Sequence, residues 1–146
     1  MITAKLKTIL TDSGCTLVIY EQDQLANIPI NNSKPADIIG VIKQINDITL
    51  EIRANAIHEH YNPLTIEIMQ QVRLEDAADN NEIKLQTLLN ICKEIILRII
   101  NDAAFKTIRP VKAVKILERR YDANVTGWAL PIDLYYLFNE IKDPCL

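Results

Sequence analysis

From Trp128 to Phe138 apolar side chains fall on every second residue. Trp128, Leu130, Ile132, Leu134, Tyr136 and Phe138 alternate with Ala129, Pro131, Asp133, Tyr135, Leu137 and Asn139. Successive side chains of an extended chain point to opposite faces, so this run demands a strand with one face in a core. Pro131 has no N–H to give a ladder, which places the strand at an edge or puts a bulge there. The stretch from Leu64 to Leu74 repeats the pattern, with Leu64, Ile66, Ile68, Gln70, Val72 and Leu74 on one side. Ile38 to Ile45 and Ile48 to Ile57 read as two further extended segments. Asn46-Asp47 between them suits a two-residue hairpin turn, because both residues tolerate left-handed backbone. In the second segment Ile48, Leu50, Ile52, Ala54 and Ala56 share what should be the core face. Three consecutive antiparallel strands, a meander, are therefore predicted, with the polar stretch from His58 to Pro63 as the tip between the two long ones.

Such a sheet needs a cover. Asp79 to Asn101 supplies one: Leu85, Leu88, Leu89, Cys92, Ile95, Ile96 and Ile99 form a continuous helical stripe, widened by Ile83, Ile91, Leu97 and Ile100. Asp79 with Glu82 three residues on resembles a capping box. A shorter helix opens the chain, with Ile2, Leu6, Ile9 and Leu10 on one face and Gly14 as its stop. Thr16 to Tyr20 follows as a short buried strand, and Glu21 to Pro35 as a loop. Val111 to Tyr121 fits a helix or a strand by its spacing, and the strand is preferred; Asp122 to Gly127 then turns the chain. The expected fold is one α+β domain over residues 1–146: an antiparallel β-sheet, meander plus C-terminal hairpin, packed against one long and one short α-helix. The 24 Ile among 146 residues favour that much strand.

Charge and cysteine content exclude several classes. A net charge of −3 gives no electrostatic pull toward nucleic acid or anionic lipid. No apolar run exceeds five residues, too short to span a bilayer, and the first residues hold no secretory signal core. Cys15, Cys92 and Cys145 have no metal-site or disulfide-framework spacing, which suits reduced thiols in a cytosolic compartment. The sequons at Asn31 and Asn124 then carry no sugar.

Few residues look chemical. His58-Glu59-His60 places two imidazoles on one side of a strand, where they could hold zinc, but a third ligand is not evident and the spacing is not that of a helical HExxH site. A polar hairpin tip accounts for them equally. Cys92 falls on the apolar helix stripe and reads as core rather than nucleophile. Three isolated Gly cannot form a phosphate loop. Glu118-Arg119-Arg120-Tyr121-Asp122 is dense in charge, yet its carboxylates offset its guanidinium groups, as on a solvated strand. Tyr135 stands out, because with Pro131 and Leu137 it puts apolar area on the second face of its strand, to be covered by a helix or another subunit.

The order of helix, buried strand, long meander, buried helix and a Gly-Trp strand resembles the tail-completion or tail-terminator proteins of tailed bacteriophages. The closing run ERRYDANVTGWALPIDLYYL, with the short tail ending Pro144-Cys145, is similar to the closing hairpin of such proteins from phages of gut Bacteroidales, including the crAss-like phages. That resemblance implies a virion protein made in the host cytoplasm, without catalytic residues, cofactor or metal. It implies a homo-oligomeric ring, sixfold or twelvefold, in the neck or tail between portal and tail. Its partners there would be adjacent portal, adaptor or tail ring proteins, with DNA passing through unspecifically and no membrane. Candidate intersubunit contacts are Arg53, His58, His60, Tyr61, Arg119, Arg120 and Tyr135. A mildly acidic wall would let DNA slide where a basic one would hold it. The rival readings are a small metal-dependent hydrolase using His58 and His60, and an adaptor subunit of a bacterial complex.

Overall fold

The computed structural model describes residues 2–21, 32–54, 56–72, 78–107, 110–120 and 123–138. Helix α1 (Ile2–Asp12) leads into β1 (Leu17–Tyr20), β2 (Ile39–Ile42), β3 (Thr49–Arg53) and β4 (Ala56–Gln71). Helix α2 (Ala78–Asn101) is followed by β5 (Phe105–Thr107), β6 (Val114–Arg120) and β7 (Ala123–Phe138). None of the helices among the described residues is long and apolar enough to cross a membrane.

The seven strands form one mixed sheet with both helices packed on it, an α+β fold. Two 16-residue strands, β4 and β7, run antiparallel down its middle. Each carries two short strands end to end on its outer edge: β2 and β3 beside β4, β5 and β6 beside β7. Strand β1 lies parallel to β2 outside it, so the sheet is not the purely antiparallel one expected.

The meander is corrected in two places. Residues after Ile42 do not turn at Asn46-Asp47 to pair β2 with β3; both strands pair with β4 instead, at different heights. The reversal comes later, after Arg53, where Ala54 takes a left-handed φ of 47° and Arg53 faces Ala56. His58 to Pro63 is therefore no tip. It lies within β4, where the pairing to β7 slips between Tyr61 and Leu64. That slip is why the apolar face changes parity along the strand: Tyr61 and Leu64 both point to the core.

The C-terminal region also differs. Of the turn expected over Asp122 to Gly127, Asp122 lies outside the described residues and the rest is strand, since β7 begins at Ala123 and Gly127 sits opposite Met69 within the ladder. A Cβ on Gly127 would lie 2.0 Å from the Ile68 carbonyl oxygen, so glycine is there for close backbone approach rather than for a turn. Pro131 occupies a central strand, with a physical solution. Lys43 N–H donates to the Thr65 carbonyl at 2.9 Å, so Thr65 directs its polar groups away from β7. Its rung partner Pro131 then directs its nitrogen to the outer edge, at the gap between β5 and β6. No ladder bond is lost there.

Both helices lie on one face. Ile2, Leu6, Ile9 and Leu10 of α1 and Leu85, Leu88, Cys92, Ile95 and Ile99 of α2 are buried, as their periodicity predicts. All of these but Leu85 share one cluster with Leu64, Ile66, Ile68, Leu130, Ile132 and Leu134 from the two long strands. Gly14, at φ 115°, ends α1 in a conformation that other residues resist. Of the residues that widen the α2 stripe, Ile83, Leu97 and Ile100 are exposed, so the helix is covered on one side of this chain alone. The Asp79 side chain lies outside the described residues, as do residues 22–31 of the expected loop. The opposite sheet face holds a smaller buried cluster of Ile19, Ile39, Val41, Met69, Ile116 and Val125.

Candidate assembly surface

Strand β3, the first half of β4 and the last part of β7 extend past the helices as an arm whose two faces differ. On the helix side stand Leu50, Ile52 and Ile57, with Leu50 at 64% and Ile52 at 80% exposure, and Ile48 just before β3 is exposed as well. The sequence assigns that alternation to a core face, but the helices stop short of it. Nearer the body the same face closes over: Tyr61 is 2% exposed, and its hydroxyl donates to Glu59. Burial first, then the Glu59 carboxylate, pushes the Tyr61 phenol well above its ordinary value. Tyr61 is thus part of this chain's own core.

The other face of the arm is polar and tightly cross-linked. The rings of His60 and Tyr135, on facing rungs of β4 and β7, stack with centroids 4.0 Å apart and planes 2° from parallel. His60 Nε2 lies 2.5 Å from Asp133 Oδ1. A carboxylate only accepts, so Nε2 carries the hydrogen. Tyr135 donates its hydroxyl to Glu51 Oε1 at 3.2 Å, and Glu51 Oε2 accepts from Arg53 at 2.9 Å. The Arg53 guanidinium carbon lies 5.8 Å from the centre of the Tyr135 ring. Desolvation, then the Glu51 hydrogen bond and charge, raises the Tyr135 phenol above its ordinary value.

The structure therefore joins three of the expected contact residues, Arg53, His60 and Tyr135, through two that the sequence did not single out, Glu51 and Asp133. Only the register could have found these, because Glu51 and Asp133 stand 9 and 73 positions from His60 in the chain. His58 lies on the same face, on the rung facing Glu51. Arg119 and Arg120 end β6, at the other end of the sheet from the arm; their side chains lie outside the described residues.

As chemistry, the cluster is a cross-strand tie. Tyr135 covers one face of the His60 imidazole and Asp133 takes its Nε2–H. The two described thiols, Cys15 and Cys92, are buried in the helix-side core, where burial pushes each up from 9.0 to about 12. Among the described residues, no group of three or more His, Cys, Asp or Glu stands close enough together to hold a metal ion. An open groove of about 800 Å³ between α1 and α2 is lined by Lys5, Asp12, Glu94, Arg98 and Asp102 among others, charges of both signs. Lys5 and Asp102 pair across it at 3.0 Å.

No protein-family model matches this chain, and no curated protein matches it.

Proposed function

We propose that this chain is a non-catalytic structural subunit that works by assembly, in a closed ring at the neck or tail of a tailed bacteriophage. The observation that carries the assembly reading is the arm, where β3 and the start of β4 present Leu50, Ile52 and Ile57 to solvent beyond both described helices. Contiguous apolar surface of this kind marks a contact with another protein. The resemblance to tail-completion and tail-terminator proteins supplies the setting: a sixfold or twelvefold ring, portal-side and tail-side neighbours, and DNA passing through its centre. Arg53, His58, His60 and Tyr135 remain the proposed contact residues, with Arg119 and Arg120 at the far end of the sheet. A head-to-tail ring needs two different surfaces per subunit, and the arm and the opposite end of the sheet are well separated for that role.

Cryo-electron microscopy of virions carrying this protein tests the reading. A ring of copies on the neck or tail axis, with the arm buried between subunits, is the expected result. Absence of the chain from the virion, or an arm free of any contact, overturns it. Stoichiometric zinc in the purified protein together with a hydrolytic activity lost in His58→Ala would favour an enzyme instead.

A further inference from the structure

The outer edge of β3 pairs with no strand among the described residues, and β3 carries Ile52, at 80% the most exposed of their large apolar side chains, together with Leu50 at 64%. We infer that this edge pairs with the β3 edge of a second copy, antiparallel about a twofold axis through Ile52. An open edge flanked by apolar side chains is a template for another strand. The sequence of β3, Thr-Leu-Glu-Ile-Arg, says which strand fits it. With Ile52 facing Ile52 of the other copy, Glu51 of each copy faces Arg53 of the other on the polar side. Both charges are thereby matched, and the most exposed apolar side chain meets its own equivalent on the opposite side. Centring the pair on Glu51 instead would set two carboxylates directly opposite each other, which is unfavourable. The charge pattern thus fits a second copy, and between centring on Glu51 and centring on Ile52 it selects Ile52. Glu51 is already held in place for this by Tyr135, while the Arg53 side chain is 63% exposed and can reach across.

This contact goes beyond the ring reading. A ring joins unlike surfaces head to tail, whereas this contact uses one surface twice, so it joins copies in pairs or one ring to another face to face. The two stand or fall separately.

The test uses the full chain with Cys145→Ser, to remove the thiol nearest the C-terminus. Sedimentation equilibrium should show self-association that Glu51→Arg alone and Arg53→Glu alone each weaken at least about ten-fold. Mixing the two single variants should restore it as a heterodimer. Positions 51 and 53 are both basic in the first variant and both acidic in the second, so every facing pair across the twofold becomes an opposite-charge pair. Loss of the internal Glu51–Arg53 pair cannot produce that rescue, since neither variant regains it on mixing. The register is read independently by oxidising Ile52→Cys, whose facing Cα atoms would be within disulfide reach at about 4.5–5.5 Å. Ile52→Cys should give a disulfide-linked dimer and Leu50→Cys far less. A parent chain that stays monomeric at the highest soluble concentration, a mixture no tighter than the single variants, or equal cross-linking at positions 50 and 52 each overturns the inference.

Discussion

The indole N–H of Trp128 donates to the Leu85 carbonyl at 2.8 Å, a bond that reaches from β7 to α2. The contact fixes the height at which the long helix rests on the sheet. Trp128→Phe keeps an aromatic ring and removes the donor. It is expected to lower stability by about 1 kcal/mol in denaturant titration, the ordinary net worth of one such bond. An unchanged midpoint would mean that the helix is positioned by apolar packing alone.

Leu88→Ala and Ile52→Ala should behave oppositely although both sit in strongly periodic segments. Leu88 is fully buried, so its truncation should cost about 2–5 kcal/mol through lost burial and a cavity. Ile52 is 80% exposed, and in dilute solution its truncation should stay within about 0.5 kcal/mol of zero. Thermal or denaturant unfolding of both variants separates core from arm.

At Gly127 there is no room for a methyl group. The Ile68 carbonyl oxygen and the Met69 Cα would lie 2.0 and 2.7 Å from an added Cβ, and both are backbone atoms that cannot swing aside. Gly127→Ala is expected to cost more than about 3 kcal/mol, near the top of the range for single substitutions, or to prevent soluble expression.

The two core thiols should respond to pH and to alkylation. Burial raises Cys15 and Cys92 from 9.0 to about 12, with Cys15 adding a smaller push on Cys92. Thiols raised in the folded state leave stability intact below the unfolded value of 9.0. As pH climbs from there toward about 12, the unfolded chain loses protons that the folded one keeps, and stability falls. Peptide mapping after iodoacetamide at neutral pH should find both residues unmodified in the native protein and modified in denaturant. Rapid native labelling of either would contradict its burial.

His60→Ala removes the stack on Tyr135 and the bond to Asp133 together. The expected cost is about 1 kcal/mol, discounted because the site is partly wet. Its sharper signature is local: amide exchange should quicken in Thr49–Arg53 while α2 is unaffected. Uniform quickening would show that the tie belongs to the global core rather than to the arm.

How much of this was legible depended on whether one segment alone decides its structure. Both helices, the Gly14 stop and the buried stripe of α2 follow from spacing within a single stretch. The strand preference for Val111 to Tyr121 also holds, with β6 at Val114–Arg120. Pairing did not follow, because period-2 alternation says that a residue faces one way without saying what stands opposite. Leu50 and Ile52 alternate as well as Ile66 and Ile68 do, yet the helices cover only the second pair. The reversal at Ala54 carries no glycine, so Asn46-Asp47 and the polar His58 to Pro63 stretch were the stronger turn signals. The ties of His60 to Asp133 and of Tyr135 to Glu51 were hidden for the same reason: they exist only once the rungs are aligned.

Seen as a beam, the sheet has a waist. At the level of Leu64 and Ile132, β2 and β3 leave a gap on one edge and β5 and β6 on the other, so among the described strands only β4 and β7 cross it. The pairing slip after Tyr61 and the nitrogen of Pro131 fall at or beside this section. Backbone pairing is thinnest there, and side chains hold the section instead: Leu64 and Ile132 are each 1% exposed within the cluster that both helices cover. The arm and the body are thus joined as much by helix packing as by the ladder, so loosening the helices would loosen the arm's attachment as well.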